Sequence, residues 1–371
     1  MHTDMNKVAL LTTSFGAGHL QAAQAVEHAI LKKRPGTQTK LVDSFTTTAP
    51  WLTLFTLNTY LKVLELMPLL YKLLYDWGNN SRSALYFRQF ISWRLSWSTG
   101  KQLAAFNPDV VICTHASPTG AVCYLKKKGV LNVPVIAVVT DYVAHRLWVY
   151  DEVDLYTVAH EEVRENLISR GVDPHKIMVT GIPVAEKFCK PIIKTAILQQ
   201  LALNEDIPVI LIMGGGTGAL PMEEIVSILK EHSLKAQLLV VTGHNTVMRK
   251  QIEKHTGDLS IRVLGFVANI HELMAVADLM ITKPGGLSVA EAITMGLPMV
   301  IFRPIPGQEE GNAKFLIEQH VAYRAEHVGD LPKIISALLN DQDRTEQMRK
   351  RARSLSAPKA AETIADLALE A

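Results

Sequence analysis

The sequence predicts an α/β protein made of two doubly wound, Rossmann-like domains facing a cleft. Three observations lead there. Short apolar runs alternate with helical patterns along most of the chain, the signature of parallel strands covered on both faces. A strand that runs into a glycine loop and then a helix occurs twice, once early in each half. Finally, the 371 residues exceed the roughly 250–300 that one hydrophobic core usually serves.

Taken in order, Val8–Thr13 is an apolar strand ending in Ser14-Phe15-Gly16-Ala17-Gly18-His19, and a helix pattern from Leu20 to Lys33 closes at Pro35-Gly36. Val110–Thr114, Val135–Thr140 and Leu155–Val158 read as buried parallel strands between helical stretches. The boundary falls in Gly181–Pro191, which has two prolines and little periodicity, so the domains are drawn as 1–185 and 186–357, with 358–371 as a last helix. Val209–Met213 then opens the second half. It runs into Gly214-Gly215-Gly216-Thr217-Gly218 and a helix beginning near Pro221. Leu238–Thr242, Ile261–Leu264, Leu279–Thr282 and Met299–Phe302 follow as strands. From Leu331 the chain is helical, broken at Pro358. Asp341-Gln342-Asp343 has the spacing of a metal-binding D-x-D, but with no strand before it a helix N-cap is the expected role. In such folds ligands bind at the strands' carboxyl ends.

Composition narrows the class. Apolar residues make up 48% and charged residues 20%, an ordinary globular balance. A net charge of +2 calls for no nucleic acid as partner. Cys113, Cys123 and Cys189 are odd in number and form no C-x-x-C pair, which fits a reducing cytosol better than a disulfide framework. The first residues lack the layout of a signal peptide.

The chemistry concentrates in 283–312, K-P-G-G-L-S-V-A-E-A-I-T-M-G-L-P-M-V-I-F-R-P-I-P-G-Q-E-E-G-N. Gly285 and Gly286, with Pro284 and Ser288 beside them, place backbone N–H groups at a helix mouth, where the dipole favours a phosphate. Glu291, about one turn further in, can accept two hydrogen bonds from a ribose diol. Gln308, Glu309 and Asn312 offer polar groups for hexose hydroxyls. The pattern suits a sugar nucleotide, although an ordinary strand–turn–helix unit would use the same glycines. Gly215, Gly216 and Thr217 extend the candidate diphosphate cradle. Such a cradle can stand in for a divalent metal, so no metal or other cofactor is expected.

His19 ends the first glycine loop, at a strand's carboxyl end. It is either a general base or a helix-start histidine bonded to backbone. Asp141, after Val135–Thr140, can orient His19, act as the base itself, or cap a helix. His145 follows four residues later. His160-Glu161-Glu162-Val163-Arg164 lacks the second histidine of a zinc motif.

Ala49–Trp77 is apolar and aromatic, yet Lys62, Glu65, Pro68 and Lys72 interrupt it, so it should not span a bilayer. From Ser44 to Lys101 six Lys/Arg face two acids, a local +4, and four of the five tryptophans lie there. Basic, aromatic amphipathic helices lie on anionic membranes. The expectation is therefore membrane contact through Trp51, Phe55, Trp77, Arg82, Arg88 and Arg94, with His145 nearby, rather than packing on the sheet alone.

At these residues the chain resembles the diacylglycerol glycosyltransferases of glycosyltransferase family 28, the bacterial processive glucosyltransferases and plant monogalactosyldiacylglycerol synthases. The marks are S-F-G-A-G-H at 14–19, T-D-Y-V-A-H at 140–145, G-I-P-V at 181–184 and M-G-G-G at 213–216. G-F-V at 265–267, I-T-K-P-G-G at 281–286 and P-I-P-G-Q-E-E-G-N-A at 304–313 complete them. The resemblance implies a GT-B fold and an inverting transfer from a UDP-sugar, UDP-glucose or UDP-galactose, to diacylglycerol at the cytoplasmic face of the membrane. It implies backbone contacts from Phe266 and Val267 to uracil, Glu291 on ribose, Gln308 and Glu309 on the hexose, and His19 as catalytic or acceptor-binding histidine. It also implies a last helix that crosses back to the N-terminal domain. Two departures stand out. Ala185 occupies a position where relatives commonly carry Arg, so that contact is missing or supplied by another residue. His244 stands in a loop where relatives often have Lys.

Overall fold

The computed structural model describes residues 7–13, 17–44, 68–216, 220–254 and 261–371. It divides into two compact α/β units. The first comprises the described residues up to Ala185 together with Ile305–Gln308 and Ala357–Ala371. Its strands are β1 (Lys7–Thr12), β2 (Gln38–Asp43), β3 (Val110–Cys113), β4 (Val135–Val138), β5 (Leu155–Val158) and β6 (Ile177–Val179). They form one parallel sheet in the order β2-β1-β3-β4-β5-β6. Its helices include α1 (Ala17–Lys33), α2 (Pro68–Asn80), α3 (Arg82–Phe106), α4 (Ala116–Lys127) and α5 (Glu161–Ser169).

Strand alternation divides the core into two layers. Val8, Leu10, Val110, Ile112, Ile136 and Val138 pack on one face with α1, while Ala9, Leu11, Val111, Cys113, Val135 and Ala137 pack on the other. Both faces are buried, so the strands read as continuous apolar runs. Burying each such branched side chain contributes about 1.5–3 kcal/mol. The helix Ala360–Glu370 completes the first layer through Ile364, Ala365 and Ala368, and Lys33 meets Asp366 at 2.5 Å. Pro358 lies in the break that precedes this helix.

The second unit comprises Glu186–Pro304 and Glu309–Ser356. Its strands are β7 (Val209–Met213), β8 (Gln237–Val241), β9 (Ile261–Leu264), β10 (Leu279–Thr282), β11 (Met299–Phe302) and β12 (Ala322–Ala325). They form a second parallel sheet, ordered β12-β11-β10-β7-β8-β9. Its helices are α6 (Lys194–Gln200), α7 (Met222–Glu231), α8 (Thr246–Glu253), α9 (Ile270–Val276), α10 (Gly286–Met295), α11 (Gln308–Glu318), α12 (Leu331–Asn340) and α13 (Gln342–Leu355). Helix α11 begins on the last residue grouped with the first unit. Asp341 caps α13, accepting a 2.9 Å bond from the Arg344 amide, which leaves the D-x-D its structural role.

The central strands lie where the apolar runs place them. β2, β6 and β12 are additional, and all three are sheet edges. Their mixed burial (Gln38, Lys40, Arg324 and others reach solvent or polar neighbours) hides them from an apolar-run reading. The Ala49–Trp77 segment enters the described residues only at Pro68, where α2 begins. No described helix is long and apolar enough to cross a membrane.

Candidate active site

Each sheet has one point where strand order reverses: between β1 and β3 in the first unit, and between β7 and β10 in the second. Chains leaving adjacent parallel strands in opposite directions open a crevice there, where ligands bind in open α/β sheets.

At the first reversal, His19 stands in the first turn of α1 and Thr114-His115 follow β3. His19 Nδ1 lies 2.9 Å from the Thr114 carbonyl oxygen and 2.9 Å from Thr140 Oγ1. A carbonyl can only accept, so Nδ1 carries the proton and Nε2 keeps the lone pair. Thr114 Oγ1 donates in return to the His19 carbonyl at 3.0 Å. Burial lowers the His19 pKa, with Asp141 and the Thr114 bond opposing, so the neutral base form prevails at physiological pH. The histidine is thus bonded to backbone and by that bond held in the tautomer a base requires.

His115 packs edge-on against His19, ring centroids 4.7 Å apart. Its Nδ1 accepts from the Ser117 amide at 3.1 Å, capping α4. Burial and the neighbouring imidazole hold it well below the ordinary histidine range. Asp141 lies beyond β4 in a bend rather than at a helix start. Its charge acts on His19 and on the Tyr75 phenol, which burial and then Asp141 push up to about 12.

His145 uses both ring nitrogens inside the fold. Nδ1 accepts from Leu147 N at 3.1 Å and Nε2 donates to the Tyr75 carbonyl at 3.1 Å, tying the turn after β4 to α2. Arg88 is likewise internal: its Nη1 donates to the carbonyls of Val149 at 2.6 Å and Arg146 at 3.3 Å, and its guanidinium stacks over Tyr150 at 4.1 Å. Arg94 is exposed. Trp51, Phe55 and the Arg82 side chain lie outside the described residues. The sequence reading counted Trp93 and Trp97 among this region's tryptophans but not the stripe they form on α3. Tyr86, Phe90, Trp93 and Trp97 recur every three or four residues on one helix face, exposed by 76%, 55%, 37% and 62%. Phe90–Trp93 and Trp93–Trp97 centroids are 5.6 and 6.0 Å apart, and Trp77 of α2 adds to the stripe through Phe87 at 6.1 Å.

At the second reversal, two glycine turns lie side by side because β7 and β10 pair with Met213 opposite Thr282. Gly215 has φ +72°, and the turn after β8 packs directly on this loop. A Cβ at Gly243 (φ +59°) would meet the Gly216 carbonyl oxygen at 2.4 Å, so only glycine fits. The His244 amide donates to that same oxygen at 3.1 Å. The His244 ring stacks on Phe266, centroids 4.5 Å apart and 12° from parallel, and Phe266 keeps 55% exposure. Val267 follows beyond β9. Thr217 lies outside the described residues.

Gly285 is the N-cap of α10, and no side chain caps that helix; its first N–H groups therefore remain for an anion. Ser288 sits half-buried in the first turn. Fully buried Asn312 donates its Nδ2 to the Pro284 carbonyl at 2.9 Å, fixing the turn. Glu291, 5% exposed, lies in the second turn of α10. Burial pushes its carboxyl up to about 8, with Lys187 opposing. Lys187, two residues beyond Ala185, donates to the Ala268 carbonyl at 2.7 Å; it is the cation this chain places near Glu291. Glu309, 4% exposed, pairs with Lys283 at 2.5 Å. Gln308 heads α11 within the stretch grouped with the first unit. Lys283 is the residue the motif reading left without a role; its signal was its place directly after β10, beside Gly214. Among the described residues no cluster of His, Cys, Asp and Glu could hold a metal ion.

Comparison with known proteins follows the same division. Residues 19–184 match the monogalactosyldiacylglycerol (MGDG) synthase family, and residues 209–364 match the glycosyltransferase family 28 C-terminal domain. A processive diacylglycerol beta-glucosyltransferase of Bacillus thuringiensis is 32% identical over 372 residues, covering 98% of this chain and 93% of the relative. Among solved structures, Acinetobacter baumannii MurG superposes with a TM-score of 0.64 at 17% identity, covering 99% of this chain and all of that one. Staphylococcus aureus MnaA, solved with UDP, gives 0.66 at 16% identity, covering 97% and 95%. These superpositions identify the fold as GT-B.

Proposed function

The chain belongs to the diacylglycerol glycosyltransferase family, and from that premise we propose that it moves glucose from UDP-glucose to the hydroxyl of diacylglycerol, giving a β-glucosyl lipid with inversion. The observation that carries the reading is the contrast between its two strand-order reversals. One presents a neutral histidine with its lone pair on Nε2; the other presents an uncapped helix N-terminus flanked by glycine turns and buried carboxyls. The second set suits a nucleoside diphosphate sugar. The amides of α10 and the 214–216 loop take the diphosphate, Glu291 the ribose diol, the Phe266–Val267 segment the uracil, and Glu309 with Gln308 the hexose. His19 Nε2 takes the acceptor's proton as the hydroxyl attacks C1, with Asp141 steadying the imidazolium that forms. The diphosphate leaves into an electropositive cradle that requires no metal.

The acceptor is a membrane lipid, and the exposed aromatic stripe of α3 supports docking at an anionic bilayer surface. Aromatic side chains with basic neighbours such as Arg94 and Lys101 sit at the headgroup level. The enzyme then works as a peripheral protein on the cytoplasmic face.

The test is incubation with diacylglycerol vesicles and a panel of UDP-sugars, followed by mass analysis of the lipid. A monohexosyl diacylglycerol from UDP-glucose is expected. Because the first half matches the galactolipid synthase family, UDP-galactose belongs in the panel, and product from it alone would reassign the donor. No lipid product from any donor would overturn the reading.

A further inference from the structure

Lys283 stands where three features of the second unit meet. It directly follows β10, and its ammonium lies 2.5 Å from Glu309 Oε1. Its stem passes the first glycine turn: a Cβ on Gly215 would lie 3.7 Å from Lys283 Cε, and one on Gly285 would lie 3.8 Å from Glu309 Oε1. Both are ordinary van der Waals distances, so the pair lies within contact range of both glycine turns. The two charged groups retain 15% and 5% of their exposure. A pair so buried contributes little net stability, since desolvation offsets most of the attraction, whereas removing one partner strands the other. Stability alone is therefore a weak reason for placing an ammonium between two glycine turns.

We propose that Lys283 is the cation of the donor site: it holds Glu309 toward the hexose and gives its remaining N–H donors to the diphosphate, an inference that rests on the UDP-sugar reading. An ammonium has three donors, so one stays on the carboxylate while others turn to phosphate oxygens. In transfer the C1–O bond to the diphosphate breaks and its electron pair remains on the departing UDP oxygen. The acceptor oxygen forms the new bond to C1, and its proton passes to the base. Lys283 stays protonated throughout and stabilises the negative charge that develops on the leaving group.

Calorimetric titration of UDP and of uridine, which lacks phosphate, tests this without acceptor or turnover. Lys283→Gln should weaken UDP about 10–100-fold, the range for a lost bond to a charged group, and leave uridine unchanged. Glu309→Gln releases the ammonium to the phosphates, so its UDP affinity should equal or exceed that of the parent. A lysine that merely props Glu309 would make the two variants alike, both near the parent for UDP, and that result would overturn the proposal. Should Lys283→Gln fail to fold around its stranded carboxylate, the double variant Lys283→Gln/Glu309→Gln restores neutrality. The double variant should show the same selective loss of UDP; parent-like UDP affinity there refutes the role. A parent that binds neither UDP nor uridine sinks the UDP-sugar reading itself, which separates that failure from this one.

Discussion

The two sheets share an architecture and differ in what their strand-order reversals carry. In the first unit the reversal between β1 and β3 gathers imidazoles and hydroxyls: His19, His115, Thr114 and Thr140, locked by bonds of 2.9–3.1 Å. In the second, the reversal between β7 and β10 gathers glycines, bare helix amides, and the buried groups Lys283, Glu309 and Glu291. In the proposed reaction, one end handles a proton and the other receives an anion. The fold supplies a crevice in both cases, and the residues immediately after the strands decide its chemistry.

The sharpest way to break this contrast is at His19. His19→Ala should lower transfer by about 10²–10⁴-fold, the usual worth of a general base, while UDP titrates as in the parent. Turnover near that of the parent would hand the role of base to Asp141.

Glu291 sharpens the other end. Its folded pKa, about 8, lies above its unfolded value because burial disfavours the charge. The native state therefore holds a proton that the unfolded state has lost, and the resulting stability is complete at low pH and disappears as pH rises toward 8. Glu291→Gln removes that dependence. Thermal melts should give variant and parent similar midpoints near pH 5, with the variant ahead above pH 8 by on the order of a few kcal/mol. Parallel curves across that range would contradict the assignment. Glu291→Ala should in addition weaken UDP by roughly 0.5–1.5 kcal/mol for each hydrogen bond lost from the protonated carboxyl; unchanged affinity in a folded variant would remove the residue from the ribose site.

The first unit contains its own contrast, between Arg88 and the aromatic stripe on the same helix. Phe90→Ser with Trp93→Ser and Trp97→Ser should reduce co-sedimentation with anionic vesicles several-fold while leaving UDP binding unchanged. Arg88→Ala should instead lower the melting temperature, because Arg88 holds the Val149 and Arg146 carbonyls. Undiminished sedimentation of the triple variant would mean that the bilayer is met elsewhere. The smallest effect belongs to Asp341, remote from both reversals: Asp341→Ala should cost about 1 kcal/mol of stability through the lost cap and leave transfer unaltered.

Much of this was readable in the chain. Buried parallel strands are apolar on both faces, so β1, β3, β4, β5, β7, β10 and β11 announce themselves as runs of Val, Ile, Leu and Met bounded by glycine or helix starts. That periodicity, with the glycine turns and the motif order, determined the α/β class and the candidate donor residues. Three of the four edge strands, β2, β6 and β12, escape, because a strand with one neighbour needs no apolar run; the fourth, β9, was legible as Ile261–Leu264. β2 and β12 carry Gln38, Lys40 and Arg324, and pairing with β1 and β11 is what makes them strands. Other roles were decided only in three dimensions. No spacing in the sequence says that Arg88 turns inward under Tyr150 while Arg94 faces solvent, or that His145 has both nitrogens engaged. Which nitrogen of His19 bears the proton depends on the Thr114 carbonyl, 95 residues away. The pairing of Lys283 with Glu309 spans 26 residues and follows from strand register and helix placement. Local pattern fixes what an element is; a contact between elements exists only once the sheet has set their distance.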